Sequence, residues 1–352
     1  MKSHQLTLDE VRAYYGRVLQ TSSDLQTNAC CTDEQVPAQH KPLLAKIHDE
    51  VMSRFYGCGS PIPAALEGRT VLDLGAGSGR DSYLCSALVG PTGRVIGVDM
   101  TDEQLAVARR HQDYHAQAFG HPRPNTSFRK GYIEDLAGVD VADASVDVVI
   151  SNCVVNLSPD KGRVLSEVFR VLKPGGELYF SDVFADRRVP SALREDPTLY
   201  GECLSGALYI EDFRRMLRER GVLDYRVVNK RRITVNNPQL EAKLGPVNFF
   251  SVTVRAFKLD LEDLCEDYGQ VAVYKGGAQG APVRFVLDDH HTFEAGRPAL
   301  VCGNTADMLQ KTRFGAHFDI RGGKDVHFGA FPCGPAPASA AAPADPALGA
   351  CC

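Results

Sequence analysis

Two kinds of residue in this 352-residue chain could do chemistry: sulfur nucleophiles and a glycine-rich turn. There are eleven cysteines, including the adjacent pairs Cys30-Cys31 and Cys351-Cys352 and the isolated Cys58, Cys153 and Cys203. No C-x-x-C occurs, and adjacent cysteines lack the usual gap between zinc ligands, so neither a zinc ribbon nor a thioredoxin-type motif is expected. The turn runs Asp73-Leu74-Gly75-Ala76-Gly77-Ser78-Gly79, directly after an apolar stretch. Glycines there permit a tight turn and let a ligand approach the backbone. Asp99, at the end of the next apolar run, is placed to accept hydrogen bonds from ribose hydroxyls. A dinucleotide loop would want its third glycine at position 80, where Arg80 stands.

Composition narrows the setting for that chemistry. Hydrophobic residues make up 44% and charged residues 24%, which suits a globular protein with a sizeable core. The balance of 39 basic and 44 acidic residues gives −5, so no global field recruits nucleic acid or an anionic membrane. No apolar run approaches the roughly 20 residues of a membrane helix. Lys2, His4, Asp9, Glu10 and Arg12 leave no apolar core for an export signal, so a cytoplasmic protein is expected. In that reducing compartment the cysteines should be thiols rather than disulfides.

The elements that must position these groups alternate strand and helix. Residues 1–60 read as a helical N-terminal segment, with Leu8, Val11, Tyr15, Val18 and Leu19 at helical spacing and a second helix through Leu43, Leu44, Ile47 and Val51. Residues 61–237 read as an α/β unit. Its strands fall at Thr70–Leu74, Arg94–Val98, Ser127–Lys130, Val146–Ser151 and Glu177–Ser181, with a late one at Arg232–Val235. One helix is expected from Asp102 to Phe119; another follows Ser158 and Pro159, an N-cap and first-turn proline. Residues 238–331 read as a smaller α+β domain, and the Pro/Ala-rich 332–352 as a disordered tail.

The G-x-G-x-G turn led by Asp73 resembles the S-adenosylmethionine loop of class I methyltransferases. Gly131-Tyr132-Ile133-Glu134-Asp135-Leu136 looks like the adenine-recognition turn of that fold, and Leu172-Lys173-Pro174-Gly175-Gly176 like the turn before its fifth strand. Four further stretches, Asp24–Cys30, Tyr56-Gly57-Cys58-Gly59, Ser151-Asn152-Cys153-Val154 and Gly201-Glu202-Cys203-Leu204, resemble the cysteine motifs of the arsenite methyltransferases. The likeness is strongest from about residue 20 to 235. It implies a class I methyltransferase Rossmann-like sheet, with S-adenosylmethionine held by Tyr56, Asp73, Gly75, Gly77, Asp99, Met100, Ile133, Glu134 and Asn152.

The same resemblance implies that Cys153 and Cys203 form the core arsenic site and that Cys58 and Cys30 complete it for inorganic arsenite. Cys31 is left as an alternative to Cys30, and Ser82 stands where some relatives carry a cysteine. Softness favours this ligand set, since trivalent arsenic prefers thiolates and keeps a lone pair opposite them. The implied partners are arsenite or its thiol conjugates as substrate and glutathione or thioredoxin as reductant, acting on a monomer. Cys85, Cys265 and Cys302 read as core residues, and His290-His291 with Asp288 and Asp289 as turn residues. Two rivals stay open: methylation of a small organic acceptor such as a quinone, and a thiol-based metalloid-binding protein without turnover.

Overall fold

A computed structural model describes residues 4–19, 24, 27 and 36–332. Cys30, Cys31, Cys333, Cys351 and Cys352, and the tail from 333 onward, lie outside the described residues. Eight strands form the main sheet: β1 (Thr70–Leu74), β2 (Arg94–Asp99), β3 (Thr126–Lys130), β4 (Val146–Asn152), β5 (Leu172–Ala185), β6 (Leu208–Tyr209), β7 (Tyr225–Ile233) and β8 (Phe249–Phe257). The order is β3-β2-β1-β4-β5-β8-β7, with β6 on the end of β5. Strands β1 to β5 are parallel, and β8 runs antiparallel to both β5 and β7. The chain order reverses between β1 and β4, where doubly wound sheets open a crevice at the carboxyl ends of their strands.

The near-continuous apolar runs of β1 and β4 follow from burial on both faces. Leu72, Leu74, Val149, Val164, Leu165 and Val168 fill one side, and Val71, Leu84, Val95, Val148 and Ile150 the other.

Several expectations shift. Strand β8, placed beyond residue 237 in the smaller domain by sequence, belongs to the main sheet. It covers the open edge of β5 from Glu177 opposite Phe257 to Ala185 opposite Phe249. The late strand is β7, earlier and longer than 232–235, and its Lys230-Arg231-Arg232 run lies on the sheet edge. Lys173-Pro174-Gly175-Gly176 lies inside β5, where pairing to β4 skips between Val146 and Val148. The helix expected from 102 to 119 breaks at His111, whose Nε2 meets Glu50 at 2.7 Å. The second N-terminal helix is likewise two short turns, Lys41–Leu44 and Asp49–Ser53.

Ser158 is not the cap of the next helix. Helix Lys161–Val171 is capped by Asp160, whose Oδ1 accepts from the Arg163 amide at 2.9 Å, while the Ser158 hydroxyl is drawn to Glu134.

After β8, strands Gln270–Tyr274, Pro298–Val301 and Phe318–Arg321 make a three-stranded antiparallel sheet backed by helix Gly303–Gln310. Asp288 is buried there, bonded to His291 and Arg226, so it serves as a structural anchor. Glu177 of β5 joins this region to the main sheet. Fully buried, it meets Arg255 of β8 at 2.6 Å and Arg313 of the C-terminal region at 2.5 Å. Removing one member of such a buried cluster strands the other charges. Glu177→Gln is expected to cost about 3–5 kcal/mol in urea unfolding followed by circular dichroism.

Candidate functional site

The carboxyl ends of β1, β2 and β4 open into a cleft enclosing about 900 Å³. Tyr56, Asp73, Gly75, Gly77, Asp99, Met100, Ile133, Glu134 and Asn152 all line it, and so does Cys153. A Cβ on Gly75 would stand 2.3 Å from Val154, so only glycine lets the loop lie against the segment that follows β4. Asp99 ties β2 to the loop by accepting from the Gly77 amide at 2.9 Å and the Thr101 amide at 2.8 Å. Ser78 donates to the Val51 carbonyl at 2.8 Å, drawing the segment that leads to Tyr56 onto the same loop.

The cleft suits a cationic nucleoside. Asp73 is buried and its pKa is pushed up to about 8, first by desolvation and then by the Asp81 charge; the Ser82 hydroxyl, donating at 2.6 Å, opposes this. A ligand that brings a positive charge would offset that penalty. The Tyr56 hydroxyl is buried with no hydrogen-bond partner among the described residues, which leaves a donor on the cleft wall for a bound molecule. Desolvation also lifts its pKa to about 12, so it stays protonated.

Sequence reasoning missed the far wall, built by Leu8, Val11 and Tyr15. Their helical spacing was visible, but a stripe on one helix does not name the surface it covers.

Asn152, besides lining the cleft, organises the loop that carries Cys58. Its Oδ1 accepts from the Cys58 amide at 3.0 Å and the Gly59 amide at 3.3 Å; its Nδ2 donates to the Gly59 carbonyl at 2.9 Å and to Asp81 at 2.8 Å. All four hydrogen-bonding positions of the amide are thereby used. Asn152 pins the Cys58 loop to the end of β4, one residue before Cys153. Gly57 allows the approach, since a Cβ there would stand 2.7 Å from the Asn152 amide nitrogen.

Three of the four expected thiol residues meet beside this cleft. Cys58, Cys153 and Cys203 share one buried cluster, and the Cys203 thiol donates to the Cys153 carbonyl at 3.1 Å. Both Cys153 and Cys203 hold left-handed backbone, with φ of 56° and 64°. Such positions cost a non-glycine residue roughly 1–3 kcal/mol and persist where surrounding structure imposes them.

Contrary to the expectation of thiols throughout, Cys58 and Cys153 form a disulfide, their Cα atoms 6.0 Å apart. The fold makes the two neighbours in one buried cluster, within the Cα separation a disulfide spans. A carboxylate oxygen of Asp182 lies within 4.8 Å of both sulfurs. Burial pushes the Asp182 pKa up to about 7, against hydrogen bonds from Val183 and Asn156. Lys161 donates to the Ser158 carbonyl at 2.9 Å, and burial with the Arg194 charge lowers its pKa to about 8. Cys85 packs in the core as expected, as do Cys265 and Cys302, the latter also capping a helix by accepting from the Thr305 amide.

Strand order, glycine loop and cleft together define a class I S-adenosylmethionine methyltransferase. A methyltransferase-domain family model matches residues 66–221, and an arsenite methyltransferase C-terminal domain model matches 268–346. The chain is 57% identical over 324 residues to an arsenite methyltransferase of Aquipseudomonas alcaligenes, covering 92% of this chain and 93% of that protein. It is 46% identical over 310 residues to the arsenite methyltransferase of Mus musculus, covering 88% of this chain and 82% of that one. The crystal structure of CrArsM, an arsenic(III) S-adenosylmethionine methyltransferase from Chlamydomonas reinhardtii, aligns with a TM-score of 0.81 at 50% identity, over 84% of this chain and 99% of that one. The chain belongs to the arsenite methyltransferase family. Among its described residues no helix is long and apolar enough to cross a membrane.

The electrostatics of Asp73 have a measurable consequence. Its folded pKa of about 8 lies well above the ordinary carboxylate range, so the ligand-free fold holds a proton that the unfolded chain releases, and this carboxyl lowers stability as pH climbs from that range toward 8. A cation selects the ionised form. Calorimetry should therefore show S-adenosylmethionine affinity rising between about pH 6 and about pH 7.5, by up to about tenfold per pH unit, with the rise lost in Asp73→Asn.

Proposed function

We propose that this chain moves methyl groups from S-adenosylmethionine to trivalent arsenic, from arsenite to methylarsenite and on to dimethylarsenite. The observation that carries this reading is the gathering of Cys58, Cys153 and Cys203 in one buried cluster that reaches the cofactor cleft through Cys153. A methyltransferase for a small organic acceptor has no use for sulfurs gathered there. In this reading Cys153 and Cys203 are the core ligands, and Cys58 with Cys30 completes the set for inorganic arsenite.

S-adenosylmethionine supplies an electrophilic methyl on a positively charged sulfur. The chain's own work is to hold the acceptor. Arsenic(III) bound by three thiolates keeps a lone pair opposite them, and in-line attack by that pair needs no general base. Placement and exclusion of water then remain as the protein's contribution. Each ligation is an exchange without redox change: a thiol S–H and an As–OH bond break, an As–S bond forms and water leaves. Methylarsenite, with one position already taken by carbon, needs fewer thiols.

Electron counting brings in a reductant. Methyl transfer commits the arsenic lone pair to a new bond, and return to the trivalent state takes two electrons. Two thiols closing to a disulfide provide two, and Cys58 with Cys153 is such a closed pair. A disulfide offers no thiolate, so a dithiol or monothiol such as thioredoxin or glutathione is assigned the task of reopening it.

The test is incubation with arsenite, methyl-labelled S-adenosylmethionine and glutathione, followed by speciation of the arsenic products. Cys153→Ser and Cys203→Ser should each lose both methylations by at least about a hundredfold, the scale of effect expected when a reacting group is misplaced. Cys58→Ser should retain more of the second step than of the first. Unchanged turnover in Cys153→Ser would overturn the assignment of that thiol.

A further inference from the structure

Two cysteines outside the methylation site lie against each other in the C-terminal region. Cys302 is fully buried and caps helix Gly303–Gln310, its sulfur accepting from the Thr305 amide at 3.4 Å and lying 3.2 Å from the Thr305 hydroxyl. The Arg226 guanidinium, pinned by Asp224 at 2.7 Å and Asp288 at 3.1 Å, donates to the same sulfur at 4.0 Å. Cys265 reaches it from another direction. The Asn304 side chain accepts from the Glu262 amide at 2.9 Å and donates to the Glu262 carbonyl at 2.8 Å, and a Cβ on Gly303 would stand 2.8 Å from the Tyr268 ring. The segment 262–268 is therefore stitched across the start of the helix, and the Cys265 thiol in its middle hydrogen-bonds to Cys302. Among the described residues neither sulfur is in a disulfide.

We propose that Cys302 and Cys265 are a second dithiol, separate from the Cys58–Cys153–Cys203 cluster, which a hydroperoxide oxidises to a disulfide, with Cys302 attacking first and Cys265 resolving. The inference goes beyond methyl transfer and holds whatever the acceptor at the cleft. Thiolates, not thiols, attack peroxide, so oxidation follows thiolate character. In this respect the pair differs from an ordinary core cysteine. Cys85, packed among apolar side chains, has its pKa pushed well up by burial and by the Asp73 and Asp81 charges. Cys302 has its pKa lowered, first by the hydrogen bond from Cys265 and further by the Arg226 charge and Thr305, against desolvation. The chemistry balances in two steps. The Cys302 thiolate takes one oxygen of the peroxide, the O–O bond breaks, and a sulfenic acid and hydroxide form. The Cys265 thiol then attacks that sulfur; an S–S bond forms, the S–O bond breaks, and the Cys265 proton leaves with the hydroxyl as water. Two thiols give up two electrons and the peroxide takes them. Hydrogen peroxide, close to water in size, suits a buried pair whose neighbour Leu264 is exposed.

The experiment uses the full chain, reduced with dithiothreitol, desalted and exposed to a small excess of hydrogen peroxide. Samples are quenched in denaturant with iodoacetamide, digested and quantified by mass spectrometry. Cys302 should lose its thiol at least about tenfold faster than Cys85, and a peptide linking Cys265 to Cys302 should appear in step with that loss. In Cys265→Ser the linked peptide should vanish and Cys302 should stop at the sulfenic acid, which dimedone captures. In Cys302→Ser the Cys265 thiol should survive at least about tenfold longer than in the unaltered chain. Oxidation of Cys302 no faster than that of Cys85 would overturn its role as the attacking sulfur. Linkage of Cys302 to any cysteine other than Cys265 would overturn the pairing. Both of those readings come from the unaltered chain, so they stand even if a serine variant does not fold.

Discussion

The proposed chemistry depends on a fold that brings three cysteines from distant stretches of chain into one buried cluster. Cys58 and Cys153 are 95 residues apart and Cys203 lies 50 further on. Two of the three sit on backbone that a side-chain-bearing residue adopts only under constraint. The constraint is visible. Cys153 follows the last residue of β4 and its amide donates to the Ser181 carbonyl of β5 at 2.9 Å, so the sheet itself forces the turn. Cys203 leaves helix Pro197–Gly201 with its amide on the Tyr200 carbonyl at 3.1 Å. Rigid packing thus carries the conformational cost of the site, and the thiols need not be ordered when substrate arrives.

The same strand end couples the two halves of the reaction. Asn152 and Cys153 are neighbours, one spending its amide on the Cys58 loop and the other presenting its sulfur to the cleft wall. A shift of β4 relative to β1 would move cofactor loop and sulfur patch together, because Gly75 packs on Val154 with no room to spare. The glycine loop and the strand end that carries Cys153 are therefore packed as one unit, which in the proposed reaction would hold methyl donor and acceptor together. Near-attack placement of that kind is where proximity catalysis gains most.

Much of this was legible in the sequence, and the physical reason differs by element. Strand β1 was read to the residue because both of its ends carry strong local signals: Gly68 before it and the glycine turn after it. That the nine residues expected to hold the cofactor would share one cleft wall was legible where they sit at or just beyond a strand end, as Asp73, Gly75, Gly77, Asp99 and Met100 do. Strand β8 was not, since its membership of the main sheet is decided by an unfilled edge on β5, which no local pattern encodes. The helix cap at Asp160 was misassigned to Ser158 because both residues are good caps, and only the tertiary position of Glu134 decides between them. Asn152 was legible as a site residue but not in its role, which depends on a loop 94 residues earlier in the chain.

The disulfide shows why a thiolate cage for arsenic is also a redox device. Sulfurs that the fold gathers as neighbours can also reach one another, so closure to a disulfide competes with ligation of a soft ion. Separation would protect the thiols and lose the ligand. Burial slows their oxidation by outside agents without preventing internal closure, because the partner sulfur is already inside. The Cys58–Cys153 pair can be closed or open, and passage between the two takes two electrons. In the proposed reaction each methyl also calls for two electrons, the number that closure of Cys58 on Cys153 releases.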